Sequence, residues 1–190
     1  MMDLNRRKMT WMAAVATAGA VLALAPMGVW ADRPLATISG GGTAAFNGGE
    51  ELEGFTTQFS VGAGVWNVPV ENGCDDDFAD LGDEWEGLEA VAGDFMNADG
   101  HFMCMLQIKG EGMVVILGTV SQGRLNADGS ATLCGRATIV DHFVGEIFTA
   151  EPFAVTLREG PDGFTYYDVV TGPAGDGETV VKGKITLKLH

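Results

Sequence analysis

Basic side chains are scarce in this chain: 11 Lys and Arg stand against 26 Asp and Glu, for a formal net charge of −15. A surface of that sign repels phosphate backbones and anionic bilayers, so no nucleic-acid partner is expected. Cysteine is scarcer still. Cys74, Cys104 and Cys134 are too few and too widely spaced for a disulfide-built scaffold, and none belongs to the C-x-x-C pairs of a zinc site. Catalytic signatures are missing as well. There is no His-Glu-x-x-His, no phosphate-cradling glycine loop and no dinucleotide fingerprint. The nearest approach to a nucleophile elbow, Gly118 to Gly123 around Ser121, has one residue too many and lies in a strand pattern. Among 26 acids a glycosidase pair can always be nominated, so their presence points nowhere. The chain reads as a non-enzyme.

Long apolar runs are absent except at the N-terminus. Arg6, Arg7 and Lys8 precede an Ala-rich apolar run from Trp11 to Ala25, and Val29 and Ala31 place small residues at the −3 and −1 positions of a cleavage site. Residues 1–31 thus read as a signal peptide. The run is shorter than the ~20 residues a bilayer requires, which disfavours a membrane anchor. The Arg6-Arg7 pair admits a twin-arginine route, but Thr10 favours the general secretory one. Export to the periplasm or beyond the cell follows, with no membrane insertion after the segment is removed. Residues 32–190 then make one domain, large enough to bury roughly two-thirds of its unfolded surface.

What the chain has in abundance is glycine, 28 residues of it, and two-residue alternation. Phe55, Thr57, Phe59 and Val61 oppose Thr56, Gln58 and Ser60; Phe102, Cys104 and Leu106 oppose His101, Met103 and Met105. Phe153, Val155 and Leu157, and later Ile185, Leu187 and Leu189, repeat the pattern, with weaker candidates at 36–46, 65–70, 113–121, 131–140 and 164–171. Alternation of this kind marks half-buried strands. Asn126-Ala127-Asp128-Gly129 and Pro161-Asp162-Gly163 supply hairpin turns between such runs, and Asn97-Ala98-Asp99-Gly100 reads as the same turn chemistry used again. The expected fold is all-β, an antiparallel β-sandwich or flattened barrel, monomeric.

One stretch breaks the pattern. Residues 71–94 form an acidic insertion without a basic residue, in which Phe78, Leu81, Trp85, Leu88 and Val91 recur at helical spacing while Gly82 and Gly87 oppose a helix. It reads as either a short amphipathic helix or an irregular loop. Asp75, Asp76, Asp77, Asp80, Asp83 and Glu84 supply enough oxygen for one calcium ion, although Ala79 and Leu81 stand where an EF-hand-type loop places ligands. A solvated acidic surface is the favoured reading and calcium the alternative.

Other constellations weigh less. His101, Cys104, Cys134 and His142 include a metal-ligand set on paper, but alternation sends His101 and Cys104 to opposite faces of one strand. Met103 and Met105 read as core filler or a second packed face. Trp66, Trp85, Tyr166 and Tyr167 read first as core, with stacking on a sugar ring or a partner peptide as the alternative, for which the outward ring of the Tyr166-Tyr167 pair is the better candidate. A disulfide from Cys74 to Cys104 is expected, because Cys134 alternates with Thr132, Arg136 and Thr138 on the polar side of its strand.

The Ile38-Ser39-Gly40-Gly41-Gly42-Thr43-Ala44 opening, the run from Gly100 to Cys104, Asp128-Gly129-Ser130-Ala131, Pro152 to Thr156 and Gly183 to Leu187 occur in an order that resembles a group of uncharacterised exported bacterial β-domain proteins. The resemblance implies export and an all-β domain, and no activity. The leading functional expectation is a non-catalytic binding or structural module without a cofactor. A calcium-responsive protein and a small exported hydrolase are the alternatives. Intact-mass measurement of the exported protein is expected to show Asp32 as the first residue; retention of residues 1–31 in a membrane fraction would contradict this.

Overall fold

The computed structural model describes residues 33–46, 55–71, 74, 95–108, 112–168, 172–173 and 177–190. Among them nine strands form one antiparallel sheet: β1 (Ala36–Phe46), β2 (Thr56–Pro69), β3 (Met96–Ile108), β4 (Gly112–Leu125), β5 (Ala131–Asp141), β6 (Glu146–Leu157), β7 (Phe164–Asp168), β8 (Gly172–Pro173) and β9 (Glu178–Leu189). From β1 to β7 each strand pairs with its successor; β9 returns to β7 on one side and β1 on the other. The ring is therefore closed, an up-and-down barrel of eight strands with β8 appended to β7. The acidic residues Asp75, Asp76, Asp77, Asp80, Asp83 and Glu84, and Trp85, lie outside the described residues.

The alternation read from the sequence sorts inside from outside. Ile38, Phe59, Val61, Phe102, Cys104, Ile116, Leu133, Ile139, Phe153, Val155, Phe164, Tyr166 and Ile185 belong to one buried cluster that fills the ring. Its centre is aromatic: Phe102 stacks with Tyr166 at 5.6 Å and with Phe153 at 6.1 Å, and meets Phe164 edge-on at 5.6 Å. Gly118 makes room for this stack, since a Cβ there would stand 2.6 Å from the Phe153 ring. A small barrel has an interior only wide enough for side chains, and glycine opposite an aromatic is how the taper is matched.

A second cluster lies outside the ring. Cys134, Ala154 and Tyr167 point outward in one cross-strand row, and Val70, Cys74 and Phe95 cover them. Cys74 is bonded to Cys134, across a sequence separation of 60, and Cys104 is free and buried. The expected Cys74–Cys104 bridge is thus corrected. Cys104 points into the barrel, whereas Cys74 packs on the outer wall beside outward-facing Cys134. By loop closure such a bridge stabilises by about 4 kcal/mol.

The turns form as their residues require at two of the three expected places. Gly129 takes a φ of 86°, and Asp128 accepts hydrogen bonds from the Ser130 amide (2.9 Å) and hydroxyl (2.6 Å). Asn126 is buried and donates to Ser130 Oγ (2.8 Å) and Thr132 Oγ1 (2.9 Å), tying the hairpin to β5. Asn97-Ala98-Asp99-Gly100 is not a turn: it lies within β3, and a register shift against β4 falls between Asn97 and Gly100. Surplus turn-type residues are absorbed there as a bulge, because hydrophobic registry continues on both sides of it.

Closure is thinnest between β7 and β9, where Phe164 pairs with Glu178, and Gly160 bridges Ile185. Gly163 has a φ of 74°, and a Cβ there would run into the Glu178 carbonyl. Gly129 has a similar φ but open space around it. Gly129→Ala is expected to cost only the left-handed penalty, about 1–2 kcal/mol. Gly163→Ala should cost at least about 2 kcal/mol more in denaturant unfolding, because the seam must also move; equal losses would show that the seam does not depend on this close approach.

Candidate functional site

Among the described residues, polar groups enter the barrel in one place. Thr57, Glu178 and Asp168 are buried at the inward positions of β2, β9 and β7, near inward-facing Cys104 and Tyr166. The Thr57 hydroxyl donates to Glu178 Oε2, linking β2 to β9 across β1. Burial pushes the Glu178 carboxyl up to about 7, with the Thr57 hydrogen bond working against the rise. Burial, and then the Glu178 charge, push the Cys104 thiol far above its ordinary value, so it stays protonated and poorly nucleophilic. The Tyr166 phenol is raised by burial and by the neighbouring Asp168 carboxylate. Sequence reading missed this cluster. Its signals were Thr57 in phase with Phe59 and Val61, and Asp168 in phase with Phe164 and Tyr166.

The residues singled out from the sequence are dispersed. His101 lies outside the barrel over Gly62, and Cys104 lies inside, as strand parity requires. Cys134 is consumed by its disulfide, and His142 sits in the turn after β5, its amide donating to the Met113 carbonyl at 2.9 Å. No group of three or more His, Cys, Asp or Glu able to hold a metal occurs among the described residues. Tyr166 and Tyr167 take opposite faces, but outward Tyr167 is only 2% exposed beneath the Cys74 and Phe95 cover, so the expectation that it offers contact surface is corrected. Trp66 lies half-buried on the outer wall, its ring over Gly64.

The outer wall divides into two unlike faces. On β3 to β6, register aligns Met103 with Leu117, and Met105 with Val115, Val140 and Ile147. Leu117 is 49% exposed and Ile147 66%, and the adjoining turn adds Phe143 and Val144. On β9, β1 and β2 the outward residues are Lys182, Lys184 and Lys188, then Thr37, Ser39, Gly41 and Thr43, then Gln58 and Ser60. Between β1 and β3 an open groove of about 310 Å³ is lined by Thr43, Thr56, Gln58, Met105 and Gln107. No protein-family model, no curated protein and no solved structure matches this chain.

The Glu178 carboxyl couples stability to pH. A group raised from an ordinary 4.5 to about 7 on folding contributes stability that is full below pH 4.5 and is lost as pH rises through 7. The loss between pH 4 and 8 is about 3 kcal/mol. Denaturant unfolding of Glu178→Gln, compared with the parent across that range, should lack this component; parallel curves would show that Glu178 ionises normally.

Proposed function

We propose that this chain is an exported, non-catalytic binding module that engages a protein partner through the outer wall of β3 to β6. The observation that supports this reading is the apolar band just described, in which Leu117 and Ile147 stand about half to two-thirds exposed amid half-buried Met103, Met105, Val115 and Val140. An apolar patch of contiguous cross-strand neighbours on an otherwise acidic chain is the pattern of an interaction surface. The interior, by contrast, is filled by the aromatic stack, and its one acidic cluster is sealed from solvent. Polarisable methionine adapts to varied partner shapes, and a net charge of −15 favours a partner whose apolar contact is bordered by basic residues. The signal-like residues 1–31 and the resemblance to exported β-domain proteins support the exported part of the reading. Calcium response and hydrolysis rest on sequence alone.

Photo-crosslinking in the producing cell tests the assignment. A crosslinking residue placed at 117 or 147 should give the same discrete adduct, and one at Ser39 on the opposite face should give none. In the 117 background Ile147→Lys should abolish the adduct, and with purified partner it should weaken binding at least tenfold, about 1.4 kcal/mol. Adducts of equal yield from both faces, or none from 117 and 147, would contradict the proposal; an adduct of twice the chain mass would identify a second copy as the occupant.

A further inference from the structure

The other face of the wall carries a different chemistry. Four strands contribute to one cross-strand row: Lys182 of β9 pairs with Thr43 of β1, Thr43 with Gln58 of β2, and Gln58 with Met105 of β3. Thr43, Gln58 and Met105 line the 310 Å³ groove together with Gln107, which pairs across from the Thr56 position, so a cation stands at its edge. Primary amides both donate and accept, hydroxyls do the same, and the thioether supplies an apolar contact. That combination suits a ring bearing several hydroxyls better than a purely apolar or purely ionic ligand.

The groove continues in one direction. Along the same outer face of β2 and β3, the His101 ring lies over Gly62 and the Trp66 ring over Gly64; a Cβ at either glycine would come within 2.9 Å or 2.8 Å of the ring above it. Glycine at these positions allows the rings to lie down on the wall. From Thr56 to Trp66 the track extends about 30 Å at the rise of a strand, long enough for a polymer rather than a single small molecule. Beside it run Lys182, Lys184 and Lys188, all exposed, on the outer face of one strand in a chain with only 11 basic residues. Such local charge, opposite in sign to the whole, marks the place where an anion is tolerated.

We infer that the outer face of β9, β1, β2 and β3 is a binding track for an anionic glycan, with sugar rings seated at Gln58 and Gln107 and stacked along His101 and Trp66, and acid groups facing Lys182 and Lys184. The track adjoins the β3 to β6 apolar band at Met105, while its glutamines and lysines lie off that band. Titration calorimetry of the full-length chain tests it with oligogalacturonate, alginate and hyaluronan oligosaccharides as acidic probes, a malto-oligosaccharide as the neutral one, and polyphosphate as a polyanion without sugar rings. At least one acidic oligosaccharide should bind more tightly than both controls. Its affinity should fall at least tenfold in Gln58→Ala/Gln107→Ala, fall at least fivefold in Lys182→Glu/Lys184→Glu, and stay within twofold in Leu117→Lys. Should the double alanine variant melt early, the single change Gln58→Glu, which places a negative charge in the groove, gives the same readout. Binding of none of the acidic oligosaccharides would overturn the inference. So would polyphosphate binding of equal strength that ignores the glutamine changes, or tighter binding of the neutral probe.

Discussion

Closing eight strands into a ring leaves an interior that must be filled by side chains, and the stack of Phe102, Phe153 and Tyr166, with Phe164 and Phe59 at its edge, is what fills this one. The rest of the architecture follows from accommodating it. Gly118 yields its side-chain volume to the Phe153 ring, and Gly123 does the same for Val65 and Leu133. Bulges at Thr43/Ala44, Val120/Gln122 and Ala137/Thr138 bend the wall around the filled centre, and the extra residue shifts the inward phase of the longer strand by one, from Val120 to Gly123 on β4 and from Val180 to Ile185 on β9. At the last of these, Ala150 takes a φ of 61°, and the Arg136 guanidinium donates to its carbonyl at 3.3 Å.

Filling the ring does not satisfy the wall. Cys134, Ala154 and Tyr167 leave a patch of small and aromatic surface on the outside of β5, β6 and β7, and Val70, Cys74 and Phe95 cover it. Phe95 seats against that patch with the Arg124 guanidinium over its ring at 4.7 Å, and the Cys74–Cys134 bond holds Cys74 there. Cys74 and Phe95 are thus held on the barrel by covalent and apolar contacts.

Much of this was readable from residues alone. Period-two alternation gave β1, β5 and the inward set of β3 nearly to the residue, and it separated His101 from Cys104 correctly. Asn126 to Gly129 was legible because a left-handed glycine and a capping aspartate act within four residues of each other. What failed was whatever depends on residues distant in sequence. The repeat of that motif at Asn97 to Gly100 is overridden by pairing on both sides, so local turn preference yields to the ladder. Cysteine pairing was misjudged because strand parity tells which face a thiol occupies, but not which loop will cross that face. Parity sends one ring of the Tyr166-Tyr167 pair outward without saying whether it meets solvent; that ring is Tyr167, and it lies beneath Cys74 and Phe95. Alternation sorts faces, and only tertiary structure says whether a face is wet.

The buried acids are intelligible on the same terms. Glu178 begins β9 at the β7–β9 seam, where backbone pairing is reduced to single bridges, and its side chain reaches past β1 to the Thr57 hydroxyl. A hydrophobic residue there would fill the space equally well, but would not connect β9 to β2 inside the ring. Buried polar links of this kind specify registry at some cost in stability. The placement at the weakest seam, with the raised carboxyl as its consequence, argues that Glu178 serves to hold β9 in register and not to act on a ligand. On the outer wall, strand parity lets the same eight strands present an apolar band and a lysine-bordered polar groove without disturbing the shared core.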